Sequence, residues 1–255
     1  MEYFSATPFL TDNNKYDLMK LLNHILEYKN FSDVAKTLNV AKGTVKRWML
    51  LNNVPYSYCF ELMKIANIDI DYSRFTFREK DQFFTPNKIA KYCYSVVLSV
   101  IQKYKDDEKK YVYIEPSAGN GSFLKILPRD RRFGLDIEPR DPKIFKFDYL
   151  KFSPPLFPLD HDKEGTKYIV IGNPPFGLRG QLALKFINYS QPFADYVCFI
   201  LPQLFESDGK GSPRKRVIGF NLVHSEKINT DFIEPNGNHV KVECIFQVWS
   251  KYHHN

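Results

Sequence analysis

The chain of 255 residues predicts an α/β protein, a doubly wound sheet carrying a small all-helical unit at its amino-terminal end. Apolar runs of strand length at residues 111–114, 133–136, 167–171 and 196–201 alternate with helical segments, the pattern of an open sheet covered on both faces. The first run leads directly into Gly119-Asn120-Gly121, and a strand that feeds a glycine turn and then a helix is the usual ligand position of such a sheet. Residues 16–67, by contrast, keep helical spacing throughout.

Composition narrows the function classes. A hydrophobic content of 44% and a charged content of 25% are those of a globular protein. No apolar run approaches the roughly 20 residues of a membrane span, and Met1 to Leu10 lack the sections of a signal peptide. A cytoplasmic protein with no membrane partner is expected. Cys59, Cys93, Cys198 and Cys244 form no metal-spaced pair and sit among apolar neighbours, so buried thiols are expected, and no metal. His253-His254 are expected to be solvated. The net charge of +7 suggests a polyanionic partner.

Leu18, Leu21-Leu22, Ile25-Leu26 and Tyr28 space a first helix, and Ser32 or Asp33 is expected to cap a second one carrying Val34, Ala35 and Leu38. A tight turn over Asn39-Val40-Ala41-Lys42-Gly43 leads to a helix over 44–50, and another begins at Phe60. The pattern Val34-Ala35-x-x-Leu38-x-Val40-x-x-x-Thr44-Val45-x-x-Trp48 resembles the helix-turn-helix of repressor-type DNA-binding domains. The resemblance implies a second helix in a DNA major groove, with Lys42, Thr44, Lys46 and Arg47 toward DNA. The plainer reading is a helical bundle with a solvated charged face. Residues 1–72 are thus expected as a helix-turn-helix domain, 73–82 as a linker and 83–255 as the α/β domain.

The run at 167–171 ends in Gly172-Asn173-Pro174-Pro175-Phe176-Gly177. Consecutive prolines fix φ and offer no N–H, so the chain leaves the strand in a stiff turn. The Asn173 amide and the Pro174 carbonyl can address one spot while Phe176 presents a ring face, an arrangement suited to a planar base with an exocyclic amine. Upstream lie Gln82-Phe83-Phe84-Thr85-Pro86-Asn87, where Thr85-Pro86 reads as a helix-capping pair, and Glu115-Pro116-Ser117-Ala118-Gly119-Asn120-Gly121-Ser122-Phe123. The next strand ends in Asp136-Ile137-Glu138, and Phe147-Asp148-Tyr149 follows. Asp148 alone is read equally well as a turn cap.

These motifs, in this order, resemble the S-adenosylmethionine-dependent amino-methyltransferases of the gamma type, above all the DNA adenine-N6 family. The resemblance covers residues 83–251. It implies a Rossmann-like class I sheet of seven strands with one reversed, and S-adenosylmethionine as cofactor. By resemblance, Phe84, Thr85 and Pro86 close over the methionine end of the cofactor, while Glu115, Ser117, Gly119 and Gly121 hold that portion. Asp136 takes the ribose hydroxyls, with Glu138 as the second candidate, Ile137 packs on the adenine, Asp148 accepts its amino group, and Asn173 borders the site. Asn173, Pro174, Pro175 and Phe176 would form the catalytic turn. Phe176 and Phe232 would stack on the two faces of a flipped base, although Phe232 also reads as a core residue.

In this reading the two acceptors bind the amine hydrogens and turn the nitrogen lone pair toward the methyl donor, and positioning and electrostatics supply the acceleration. Flipping the base costs a few kcal/mol, and stacking returns about 1–3 kcal/mol per base. Arg179, Lys210, Arg214, Lys215 and Arg216 lie in two loops that suit phosphates, or form a solvated excursion. The partner implied is double-stranded DNA, with a cognate restriction endonuclease where the setting is restriction-modification. An RNA methyltransferase acting on adenine N6 or guanine N2 is the alternative enzyme. A DNA-binding regulator with an inert methyltransferase domain is the alternative of another class.

Overall fold

The computed structural model describes residues 5–11, 15–154, 166–209 and 211–254. The chain divides into two compact units, Met1–Lys80 and Asp81–Asn255.

The first unit packs α1 (Leu18–Tyr28), α2 (Phe31–Thr37), α3 (Lys42–Leu50) and α4 (Cys59–Ile65). Its core is built from Leu21, Leu22, Ile25, Val34, Val45, Leu62 and Met63, all fully buried. The cap of α2 is Asn30, whose side chain accepts the N–H groups of Ser32 and Asp33. The expected caps are therefore the recipients, because only the residue preceding the helix has its side-chain oxygen over the free N–H groups. Lys42 and Gly43, expected in the turn, form the first turn of α3. Asn39, Asn52 and Asn67 each follow a helix at positive φ (52°, 46° and 52°). Asparagine tolerates this left-handed conformation better than most residues, so it ends helices that lack glycine. Within the segment expected as a linker, Phe75 is buried and its ring lies 4.4 Å from that of Phe60 and 5.6 Å from that of Tyr16.

The second unit is a seven-stranded sheet with helices on both faces. Its strands are β1 (Tyr111–Glu115), β2 (Arg132–Asp136), β3 (Phe145–Lys146), β4 (Lys167–Gly172), β5 (Tyr196–Pro202), β6 (Asn221–Ile228) and β9 (Cys244–Ser250), in the order β3-β2-β1-β4-β5-β9-β6. β9 runs antiparallel to both β5 and β6, whereas the pairs from β3 across to β5 are parallel. This is the expected Rossmann-like sheet of seven strands with one reversed. β1 and β5 read as continuous apolar runs because helices cover both faces. Tyr111, Tyr113, Ile169 and Ile171 pack with α5 (Asn87–Lys103), and Val112, Ile114, Val170 and Val197 pack with α6 (Gln181–Ser190).

Three local expectations are corrected. Residues 240–249, rich in β-branched and aromatic side chains, predict a strand in an antiparallel edge pair with 220–223. β9 and the edge strand β6 do form that antiparallel pair, with Asn221 opposite Ser250 and Leu222 opposite Trp249, but residues 240 and 241 belong to a separate strand, β8 (His239–Lys241), which pairs with β7 (Asp231–Ile233). Alternation at 240–249 was too weak to reveal the break. No α-helix follows the glycine loop among the described residues, and residues 119–126 form turns. His253 is not a solvated tail residue: its Nε2 lies 3.0 Å from Asp106 Oδ2, and its ring stacks on Tyr104 at 4.2 Å. All four cysteines are buried, and burial pushes the Cys59 and Cys244 thiols up to about 12. Among the described residues no helix is long and apolar enough to cross a membrane, and no group of three or more metal-ligating side chains occurs.

Candidate active site

Because β1 pairs with β2 on one side and β4 on the other, the strand order reverses there, and the crevice beyond the carboxyl ends of these strands is the natural ligand position. Glu115, Asp136 and Gly172 end the three strands. Ser117 Oγ donates to the Asn173 carbonyl at 3.1 Å, which joins the loop after β1 to the turn after β4.

The glycine loop is braced from below. Glu115 is buried, and its carboxyl accepts the N–H groups of Phe123 at 3.3 Å and Leu124 at 2.6 Å. Desolvation raises its pKa to about 8 despite these two bonds. Asp136 accepts from Gly119 N with one oxygen and from Glu138 N with the other, both at 2.7 Å, and burial again raises the carboxyl. Gly119 and Gly121 hold φ of 50° and 74°. Gly134, which motif reading passed over, is needed in β2 because a Cβ there would lie 2.9 Å from Ala118 Cβ. Ile137 is 40% exposed directly after Asp136. Asp148 caps the turn over Tyr149–Lys151, its Oδ1 accepting Leu150 N at 3.0 Å, which is the turn role weighed for it.

Segment 83–86 closes one side. Phe84 pairs with Ile233 through both backbone bonds, at 2.7 and 3.0 Å, and its ring lies 3.1 Å from where a Gly119 Cβ would stand. Thr85 is buried, but α5 starts at Asn87 with Pro86 as N-cap residue and no side-chain capping bond. Thr85 is therefore not the cap expected of it, since its side chain precedes the helix by one residue too many.

Asn173, Pro174, Phe176 and Phe232 line one pocket together with Asp81, Phe83, Val242 and Cys244. Sequence and structure meet here: residues 59 positions apart, Phe232 being 1% exposed in the core, share one wall with the turn. Asn173 Nδ2 donates to the Phe83 carbonyl at 3.4 Å, while Asn173 Oδ1 is buried without a hydrogen-bond partner. Pro175 is half-buried beside them. Asp81, Phe83, Val242 and Cys244 carry no motif signal and enter only through the fold.

None of the cationic candidates is among the residues lining this pocket. Lys42, Lys46 and Arg47 are exposed on α3 and Thr44 is half-buried. Arg179 is exposed, with φ of 53°. The basic loop is less free than its composition suggests: Arg214 ion-pairs with Asp208, Arg216 Nη1 donates to Gln181 Oε1 at 2.9 Å, and Ser212 and Pro213 are buried. Lys215 is exposed, and Lys210 lies outside the described residues.

No protein-family model and no curated protein matches the chain. Among solved structures it is similar to a candidate RNA methyltransferase from Pyrococcus horikoshii, at 19% identity and a TM-score of 0.46, over 68% of this chain and 86% of that one. It is similar to the Type IIL restriction-modification enzyme MmeI in complex with DNA at 12% identity and a TM-score of 0.48, over 78% of this chain but only 43% of that one. A third is a magnesium protoporphyrin IX methyltransferase from Synechocystis PCC 6803 with bound S-adenosylmethionine, at 11% identity and a TM-score of 0.41, over 87% of this chain and 97% of that one. The similarity is one of fold, which the strand order already establishes.

Proposed function

We propose that the chain is an S-adenosylmethionine-dependent methyltransferase that modifies adenine N6 in double-stranded DNA, with the target base flipped and the helical unit reading the site. The observation that carries this reading is the Asn173 amide oxygen, buried without a partner in the pocket that Asn173 shares with Phe176 and Phe232. An unsatisfied buried acceptor costs about 1–3 kcal/mol, so its natural partner is a donor that arrives with the substrate. An exocyclic amine is such a donor, and two aromatic walls suit the ring that bears it.

The residues at the strand ends fit the cofactor. Gly119 and Gly121 keep side chains out of the loop, Ile137 offers an exposed apolar face, and the Asp136 oxygens that accept backbone N–H groups retain lone pairs for ribose hydroxyls. Glu115, Ser117, Phe84, Thr85 and Pro86 would surround the methionine portion, and Asp148 would face the adenine amine. S-adenosylmethionine, when bound there, supplies an electrophilic methyl group. Asn173 Oδ1 and the Pro174 carbonyl accept the two amine hydrogens of the base and orient its nitrogen, while Phe176 and Phe232 hold the ring plane. Lys42, Thr44, Lys46, Arg47, Arg179 and the basic loop would contact DNA. Restriction-modification is the setting that suits such an activity, with an endonuclease as partner.

The test incubates the purified protein with tritiated S-adenosylmethionine and unmethylated duplex DNA, with RNA and Asn173→Ala in parallel, and identifies the methylated nucleosides. N6-methyladenine in DNA, lost in the variant, is the expected result. Label in RNA alone would replace DNA by RNA as substrate. Cofactor binding without label in either would favour an inert domain.

A further inference from the structure

The peptide that joins Phe176 to Gly177 is held at both polar ends. Its carbonyl accepts the N–H groups of Leu182 and Ala183, each at 3.2 Å, at the start of α6. Its N–H donates to Asp81 Oδ2 at 2.7 Å, across 96 positions of sequence. The turn has few other handles, because Pro174 and Pro175 bring no N–H. Gly177 takes a φ of +64°, and a Cβ there would stand 2.6 Å from Leu182 Cβ, so the turn runs directly against the start of α6 with no room for a side chain. Fixing this peptide plane fixes the backbone that carries the Phe176 ring.

Asp81 itself keeps a φ of 51°, in the left-handed region that glycine adopts freely and that costs an L side chain. A residue held there needs a compensating interaction, and the charge-assisted bond to the Gly177 N–H is of the stronger kind. Asp81 also lines the pocket beside Asn173, Pro174 and Phe176. A glycine would satisfy the backbone but supply no acceptor, so the side chain is the part that the pocket uses.

We propose that Asp81 is a positioning residue for methyl transfer, its carboxylate clamping the Gly177 N–H and so aiming the Asn173–Phe176 turn at the target base. The proposal rests on the methyltransferase reading above. It assigns a role in the reaction to the first residue of the second unit, ahead of the Thr85-Pro86, glycine-loop and Asn-Pro-Pro-Phe motifs.

The test compares Asp81→Gly with Asp81→Asn in the full chain. Glycine suits the φ and removes the acceptor, so folding should be kept. Its kcat on saturating unmethylated duplex DNA should fall about a hundredfold, the scale of a small misplacement of reacting groups, with KM for S-adenosylmethionine unchanged. Asparagine tolerates the same φ and keeps an acceptor, so it should recover activity to within about tenfold. Hydrogen exchange of the Gly177 amide, followed by glycine-selective ¹⁵N labelling without cofactor, should lose protection in Asp81→Gly and keep it in Asp81→Asn. An Asp81→Gly protein with wild-type kcat, or with unchanged Gly177 exchange, overturns the proposal while leaving the methyltransferase reading intact. A wild-type protein that binds cofactor yet methylates no nucleic acid overturns both.

Discussion

The Phe83 carbonyl decides which way the Asn173 amide faces. Nδ2 donates to it at 3.4 Å; the flipped amide would set two acceptors against each other, so Oδ1 is left on the other side, buried and unpartnered. A buried acceptor kept unsatisfied by its own neighbour is poor for stability and well suited to receiving a donor.

Asn173→Ala should therefore lower methyl transfer by about a hundredfold or more, the scale seen when a preorganised polar group is lost. Melting temperature should stay level or rise, because the variant removes an unsatisfied buried polar atom. Single-turnover transfer and calorimetric melting check the two halves. A variant that melts earlier and transfers normally would make Asn173 structural.

Glu115 makes stability depend on pH. Its folded-state pKa is about 8 against an ordinary 4.5, mainly through desolvation. Between these values the native state holds a proton that the unfolded state has released, so stability falls as pH rises across that window and levels off above it. Glu115→Gln, which can still accept an N–H, should flatten this fall. Urea unfolding at pH 5, 6.5 and 8 reads it directly, and equal slopes in both proteins would remove Glu115 as the cause.

Gly177→Ala should destabilise the protein by about 1–3 kcal/mol, the usual cost of a side chain forced into left-handed backbone. The added methyl would also press on Leu182, 2.6 Å away. Chemical denaturation measures the loss. An unchanged midpoint would mean that the turn relaxes freely.

Removing the charges of Lys42, Lys46 and Arg47 together should weaken DNA binding and reduce the slope of log affinity against log salt by about 3. Fluorescence anisotropy over a salt series is the measurement. If neither affinity nor slope changes, the exposed face of α3 is a solvated surface.

Much of the fold was legible in the residues alone. Short continuous apolar runs such as 111–114 and 196–201 read as strands buried on both faces, and they appear as β1 and β5. Local chemistry likewise set the stiff turn after β4, because prolines constrain φ wherever they occur. The sequence by itself thus determined the positions of β1, β2, β4 and β5, the sheet class and the candidate turn. Tertiary structure alone decided that β9 enters between β5 and β6, that Phe232 reaches the pocket of Asn173, that Phe83 turns the Asn173 amide and that Asp81 holds Gly177. Strand and turn propensities come from sterics within a few residues, whereas these contacts join positions tens of residues apart through single side chains or carbonyls, which leave no periodicity to read.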